Sequence, residues 1–214
     1  MDLDDQRYII GIDLGTTNSA VSYVDLHADG NEGTRIRRFP IPQLTGPGEV
    51  SLLPLLPSFL YIPGDYDISK QSLVHDWACH GDNFAGTYAR DHGAKVPARL
   101  VSSAKSWLCH ANADRKAPIL PWGASKEVRK ISPIQATAAY LRHIRRAWNR
   151  RQSDEEAFLE YQMVIITVPA SFDEVAREMT LEAAAYGTDC YPNRSVKKKI
   201  TLDELPYAQL LNPR

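Results

Sequence analysis

Six consecutive residues near the N-terminus bring together side chains suited to a phosphate and a metal ion. The stretch DLGTTN, residues 13–18, carries a carboxylate, a glycine, two hydroxyls and an amide. It joins two apolar runs, residues 8–13 and 19–26, whose isoleucine, valine and tyrosine content predicts β-strands. An ordinary hairpin needs only a two-residue turn. The longer polar connection therefore predicts a binding loop.

Each residue of this loop has a chemical use. Asp13 ends the first predicted strand, where its carboxylate is able to hold a hydrated Mg²⁺ beside substrate phosphates. Gly15 permits a sharp turn and a close approach to a ligand. The N–H groups from Gly15 to Asn18 predict an anion nest, and the Thr16 and Thr17 hydroxyls add donors to phosphate oxygens. The pattern differs from the G-x-x-x-x-G-K-[ST] and G-x-G-x-x-G loops, and it predicts a phosphate-binding hairpin.

Composition limits the class of protein. The chain has 214 residues, of which 43% are hydrophobic, and a formal net charge of −1, so it has enough apolar residues for a core and no global field for nucleic acid. Three scattered cysteines without C-x-x-C spacing indicate a reducing compartment. The first ten residues are acidic, unlike a secretory signal, and no apolar run approaches the roughly 20 residues of a membrane span. We therefore expect a cytoplasmic α/β protein without a nucleic-acid or membrane partner.

A long helix is predicted from residue 132 to residue 151. Ser132 is placed as N-cap, Pro133 occupies the first helical position, and Gln135 completes a capping box. The predicted apolar stripe consists of Ile134, Ala138, Leu141 and Trp148, with Ile144 beside it. We interpret the arginines off that stripe as a solvated face, not a nucleic-acid surface; they are Arg142, Arg145, Arg146 and Arg150.

A strand and a second helix follow. The nearly unbroken apolar run at residues 161–169 is typical of a strand covered on both faces. Ser171 with Glu174 forms another capping box, and Gly187 suits the position just after a helix. Strand–turn–strand followed by helix–strand–helix predicts a layered α/β domain.

The middle of the chain is harder to interpret. "RIRRFPI", residues 35–41, predicts a third strand, and the proline- and glycine-rich residues 40–63 predict loops around one edge strand at residues 57–62. Residues 64–130 show no sustained period, so we expect an irregular region with a short helix near residues 100–110. We expect the four tryptophans to serve in packing, and the Cys79-His80 and Cys109-His110 pairs not to bind a metal.

Four stretches, in this order, resemble the DnaK-type seventy-kilodalton heat-shock chaperones of the actin-like ATPase superfamily. "IIGIDLGTTNSAVSYV" is similar to the family's first phosphate loop, and "LPSFLYI" to its Pro-Ser segment. "SSAKSWL" resembles the segment with the catalytic lysine. "VIITVPASFDEVAREMTLEAAAYG" resembles the Val-Pro-Ala-x-Phe strand–helix unit. The first and last matches are the specific ones.

The resemblance implies a role for each matching residue. Asp13 would orient Mg²⁺ and its waters, and Thr16 and Thr17 would contact the β- and γ-phosphates. Lys105 would reach the γ-phosphate as a catalytic residue, although its neighbourhood in the sequence alone would make it a solvated helix lysine. The positions that relay nucleotide state to the peptide-binding domain fall on Pro169 and Arg177.

The resemblance also implies an architecture and an activity. The fold would be an actin-like, ribonuclease-H-like ATPase lobe, in which helices flank a mixed sheet. Residues 1–63 and 131–214 would form the first lobe, and residues 64–130 an inserted subdomain that carries Lys105. The function would be that of a chaperone ATPase domain, a hydrolase that binds ATP or ADP with Mg²⁺. Unfolded peptide clients and co-chaperones would be the partners of the full-length form.

The sequence departs from the family in two respects. In the family, a glutamate directly before a proline positions the attacking water, whereas here Leu205 separates Glu204 from Pro206. Glu204 is the candidate for that catalytic role. A second phosphate loop of Asp-x-Gly-Gly-Gly-Thr type does not occur in these 214 residues. We therefore expect this polypeptide alone to bind ATP weakly and to hydrolyse it negligibly.

Three other functions fit the phosphate loop. A sugar or acid kinase of the same superfamily would share D-x-G-T, but would not be expected to carry Pro169 with Arg177 in this arrangement. An actin-like filament protein would use ATP to control assembly. An inactive, truncated remnant would act, if at all, as an interaction module.

Overall fold

The structure is a computed structural model that describes residues 6–30, 33, 35–64, 83–110, 113–168 and 172–188. The strands are β1 (Tyr8–Leu14), β2 (Asn18–Asp25), β3 (Arg37–Arg38), β4 (Ile41–Gly46), β5 (Glu49–Leu53), β6 (Leu56–Pro57), β7 (Phe59–Tyr61), β8 (Phe84–Ala85), β9 (Leu100–Ser102) and β10 (Met163–Thr167). The helices are α1 (Thr87–Gly93), α2 (Ala104–Leu108), α3 (Pro133–Arg151) and α4 (Glu174–Thr188). Among these helices, none combines the length and apolar character that crossing a membrane requires.

The main sheet is mixed, as predicted. Its strand order is β10-β1-β2-β3, and β6 also pairs with β2. β1 runs parallel to β10 and antiparallel to β2. The first two strands lie within one residue of their predicted bounds, whereas β3 is shorter than predicted, with two residues.

β1 separates the core from the candidate site by simple alternation. Ile10, Ile12 and Leu14 are buried and belong to the main hydrophobic cluster, whereas Asp13 is exposed. Because successive side chains of a strand point to opposite faces, Asp13 lies on the face that the core does not occupy.

α3 supplies the other side of that core. The Ser132 side chain accepts a hydrogen bond from the Gln135 backbone N–H, and the Gln135 side chain accepts one from the Ser132 N–H, so the predicted capping box is confirmed. All members of the predicted apolar stripe are buried. The solvated-face interpretation is wrong for Arg145, which is buried. Its neighbours Ile144 and Ala147 are buried as well, so the buried part of α3 is wider than the predicted stripe.

The tryptophans have different environments. Trp148 is buried, with its ring edge-on to Tyr8 and Tyr23, and its Nε1 donates to the Ala157 carbonyl at 3.0 Å. Trp107 stacks on Trp122 at a centroid distance of 4.7 Å, but Trp122 is 68% exposed. The prediction that the tryptophans serve in packing is therefore confirmed for Trp148. It is wrong for Trp122, most of whose surface is exposed. Trp77 lies outside the described residues.

β10 is less covered than its sequence predicts. Of its five residues only Ile166 is buried, and the other four are partly exposed. In the described part of the chain β10 lies at the edge of the sheet, so one side has no partner strand there. Because four of its five residues are only partly buried by the described residues, the expectation of a strand covered on both faces is not confirmed there.

Residues 41–61 contain more strands than predicted. β4 and β5 form an antiparallel hairpin through a turn in which Gly48 has φ 74°. β7 pairs with β8 and β9 in a three-stranded sheet, against which α1 packs. Short edge strands tolerate proline, so a high proline content does not exclude strands. The prediction of a single strand, which rested on that content, is therefore wrong. α2 agrees with the predicted short helix.

α4 begins later than predicted. The Asp173 carboxylate accepts the Ala176 N–H at 2.7 Å, so the N-cap is Asp173, which directly precedes the first helical residue. The predicted capping residue, Ser171, lies outside the described residues. Gly187 falls inside the helix instead of just after it, because α4 continues to Thr188.

Candidate functional site

The turn between β1 and β2 is built around Gly15. A Cβ at this position would lie far inside contact distance of the Asn18 backbone oxygen, so no other residue fits without a shift of the turn. Thr16 and Thr17 are exposed at its tip. Neither hydroxyl bonds to a residue in the described part of the chain, and both are therefore available to a ligand.

Ser58 fastens this turn from the side. Its Oγ donates to the Gly15 carbonyl at 2.8 Å, and its backbone N–H donates to the Thr17 carbonyl at 2.8 Å. Ser58 is buried, and β6, directly before it, pairs with the start of β2. The Pro-Ser segment thus holds two carbonyls of the turn, a contact that sequence reasoning did not predict.

Asp13 is held by a neighbouring strand. The Thr167 Oγ1 donates to Asp13 Oδ1 at 3.0 Å. The two residues are register partners at the ends of parallel strands. Sequence reasoning missed Thr167, because the parallel register of β1 and β10 is not visible in either segment alone.

Lys105 is the most unusual group of the site. It lies in α2, only 3% of its residue surface is exposed, and its Nζ has no hydrogen-bond partner in the structure. Nζ lies 5.1 Å from the centre of the Phe172 ring. Burial lowers the pKa of Lys105 to about 8, and the Asp13 carboxylate acts in the opposite direction. The interpretation of Lys105 as a solvated helix lysine is therefore wrong.

The structure brings Asp13 and Lys105 within electrostatic reach, although 92 positions separate them in the sequence. α2 follows Ser103, whose φ of 51° and ψ of 37° place a non-glycine residue in the left-handed region. Such backbone conformations cluster at functional sites. The loop and the lysine thus form one candidate site.

A second charged contact joins the segment after α2 to the start of α4. The Arg115 guanidinium donates to both carboxylate oxygens of Asp173, at 3.4 and 3.3 Å. The Ala176 N–H and Arg115 hold the pKa of Asp173 below its usual range. Burial raises the pKa of the nearby Cys109 thiol, so this cysteine is not activated as a thiolate.

Of the other predicted site residues, Asn18 belongs to the same turn as Asp13, whereas no contact among the described residues joins Arg177 to Asp13. Asn18 starts β2 and is partly exposed. Arg177 is exposed in the first turn of α4, and its N–H donates to the Asp173 carbonyl. Pro169 and Glu204 lie outside the described residues.

The donor set suits a divalent ion that also binds phosphates. No group of three or more His, Cys, Asp or Glu side chains able to hold a metal occurs in the part of the chain that the structure describes. Asp13 supplies one exposed carboxylate, and Mg²⁺ commonly binds through one or two carboxylates, several waters and substrate phosphates. The orphaned Lys105 Nζ fits the same ligand, since a phosphate would give it a partner.

The known proteins to which this chain is similar include chaperones named HscA. The chaperone protein HscA of Salmonella agona is 31% identical over 193 residues, which cover 84% of this chain and 25% of HscA. HscA of Salmonella paratyphi C and of Salmonella newport are each 32% identical over 187 residues, with the same coverage. The chain spans about a quarter of the length of these curated relatives.

This similarity makes the chain a homologue of the N-terminal quarter of HscA, a chaperone of the DnaK-type seventy-kilodalton heat-shock family. Within that family, the relatives it matches are the HscA chaperones.

A different family matches a short C-terminal segment. Residues 175–214 match the family model HcyBio, described as "Homocysteine biosynthesis enzyme, sulfur-incorporation". This is less than a fifth of the chain, and it includes neither the β1–β2 turn nor Lys105. The match therefore does not bear on the candidate site.

Proposed function

We propose that the chain forms part of an actin-like ATPase lobe of a DnaK-type chaperone and binds the phosphates of Mg-ATP at the β1–β2 turn. The observation that carries this proposal is the position of Lys105. A buried ammonium without a hydrogen-bond partner among the described residues is costly, and it lies within reach of the exposed carboxylate of Asp13. A polyphosphate with a divalent ion would satisfy both groups.

Each group of the candidate site would have one task. Asp13 would hold the waters of the metal ion, and Thr16 and Thr17 would donate hydrogen bonds to phosphate oxygens. Lys105 would offset the negative charge of the terminal phosphate. Bound Mg²⁺ would supply charge neutralisation between phosphate oxygens. Phosphoryl transfer depends mainly on such positioning and charge stabilisation.

The turn is preorganised for phosphate binding. Gly15 allows its tight backbone, and Ser58 fixes two of its carbonyls through hydrogen bonds of 2.8 Å each. Because Ser58 already bonds these two carbonyls, the exposed side chains of Thr16 and Thr17 are the groups of the turn that remain for a ligand. Preorganised donors do not have to be reordered when charge develops.

The remaining roles extend the proposal to the longer relatives. We propose that Pro169 and Arg177 relay nucleotide state to a peptide-binding domain, that Glu204 positions the attacking water, and that residues 64–130 form an inserted subdomain. The partners would be ATP or ADP, unfolded peptide clients and co-chaperones. HscA is named a chaperone, which supports this function over a kinase or a filament protein.

The affinity of the 214-residue polypeptide should be low. In the family, the nucleotide lies between two lobes, and the sequence carries the phosphate loop of one. A half-site contacts the phosphates, but holds adenine poorly and does not exclude water. Sub-micromolar affinity or clear turnover would contradict this part of the proposal.

Isothermal titration with Mg-ATP tests the proposal. Asp13→Asn should weaken Mg²⁺-dependent binding, because the carboxylate charge is lost in a nearly isosteric side chain. Asp29→Asn is a matched control, since Asp29 is an exposed aspartate four residues beyond β2. Equal binding by wild type and Asp13→Asn, or no binding at millimolar Mg-ATP, would contradict the proposal.

A further inference from the structure

Thr167 and Asp13 occupy matched positions on two parallel strands. The register pairs them at the carboxyl ends of β10 and β1. The core residues Ile12 and Ile166, each one position earlier, are buried, so the alternation of a strand directs Asp13 and Thr167 to the other face. The hydrogen bond of 3.0 Å from Thr167 Oγ1 to Asp13 Oδ1 joins them there.

This contact is the hydrogen bond that restrains the Asp13 side chain. Within the described residues, no other group donates a hydrogen bond to either carboxylate oxygen, and Asp13 is exposed. An exposed aspartate is otherwise free to change rotamer. Threonine is suited to hold it, because branching at Cβ restricts χ1 and thus the direction of the hydroxyl. Oδ2 stays available to a ligand.

We propose that Thr167 is a positioning residue for the divalent ion that accompanies the nucleotide. It fixes the Asp13 carboxylate through Oδ1, so that Oδ2 is presented to the waters of the metal ion. This inference rests on the function proposed above. It assigns to the end of β10 a role in metal binding that is separate from its role in packing.

Three variants separate this role from a structural one. Thr167→Val removes the hydroxyl and keeps the shape and strand preference of the residue. Thr167→Ser restores a hydroxyl. Thr45→Val is a matched control, because Thr45 is also a partly exposed strand threonine, with a hydroxyl 3.4 Å from Ser51 Oγ. Should Thr167→Val fail to fold, Thr167→Ala gives the same test.

The measurement is ATP binding at a series of Mg²⁺ concentrations, followed through the backbone amide resonances of Thr16 and Thr17. Thr167→Val should raise the Mg²⁺ concentration for half-maximal response about five- to tenfold, the effect of losing one typical side-chain hydrogen bond. Binding of ATP in the presence of a metal chelator should stay unchanged. Thr167→Ser and Thr45→Val should behave like the wild type.

The outcomes distinguish the two proposals. If the wild type shows no Mg²⁺-dependent binding, the proposed function fails and this inference fails with it. If the wild type depends on Mg²⁺ and on Asp13 while Thr167→Val matches the wild type, the inference alone is overturned. An equal loss of metal-free and Mg²⁺-dependent binding in Thr167→Val would also overturn it, because it would indicate a structural effect.

Discussion

At the scale of single residues, Lys105 combines a charge with an environment that opposes it. Its Nζ is buried and finds no hydrogen-bond partner in the part of the chain that the structure describes, and it lies 5.1 Å from the centre of the Phe172 ring. The sequence around it predicts a solvated lysine, since burial is decided by the elements that pack over α2. Only the family resemblance indicates Lys105 as a site residue, and its burial in the structure is an independent physical argument for that role.

The charge state of Lys105 should make phosphate binding depend on pH. Burial lowers its pKa from 10.5 to about 8, and a bound polyphosphate would favour the protonated amine. Above pH 8, binding must therefore take up a proton, and ATP affinity should fall by up to about tenfold per pH unit. Titrations on both sides of that pKa measure this.

Lys105→Met is the control for the pH experiment. This variant should bind ATP more weakly and should lack the decline in affinity above pH 8. If the wild type and the variant decline in parallel, another group is responsible for the pH dependence.

The same residue should lower the stability of the unliganded protein. Replacing Lys105 with Met removes a buried charge and keeps an unbranched chain of similar volume, so the free energy of unfolding should increase by about 1–3 kcal/mol. Replacement of a functional residue often increases the stability of a protein and reduces its activity. Urea unfolding without nucleotide measures it. Lys126→Met, at an exposed lysine, should change the stability little; a destabilised Lys105→Met would argue against a strained charge.

At the scale of elements, the predictable parts were those with strong local signals. The hairpin strands and the capping box of α3 follow from residue types and spacing within a few positions. β6 and β7 were not predicted as separate strands, because each is short and pairs with strands distant in the sequence. The local β4–β5 hairpin was missed because its proline and glycine content suggested loops. The partial exposure of β10 was not predicted, because apolar composition does not reveal how much of each face the neighbouring elements cover.

The β1–β2 turn depends on Gly15 more than on any other glycine of the hairpin. Gly15→Ala places a Cβ against the Asn18 carbonyl, so the turn must open, with a loss of about 1–3 kcal/mol in stability and of phosphate binding. Gly11→Ala is a matched control, since its Cβ would lie 3.3 Å from Ser22 Oγ and 3.9 Å from the Ser22 backbone oxygen, with no severe overlap. Thermal unfolding and ATP titration of both variants test this, and equal behaviour of the two would contradict it.

At the scale of the whole molecule, the site is assembled from four separate segments. Asp13, Ser58, Lys105 and Thr167 come from the first strand, the Pro-Ser segment, α2 and the last described strand. A single sequence indicates which residues have the right chemistry, but not the register and packing that bring them together. This is why the loop was predictable and the contacts of Ser58 and Thr167 were not.

The most direct measurement of the central claim is a titration of the 214-residue polypeptide with Mg-ATP, followed at every assignable backbone amide. The account predicts weak binding with negligible hydrolysis, and chemical-shift changes concentrated in Gly15, Thr16, Thr17 and Asn18 and around Lys105. These changes should disappear in Asp13→Asn and persist in Asp29→Asn. Shifts confined to other parts of the chain, or none at millimolar Mg-ATP, would contradict the assignment of this turn as a phosphate site.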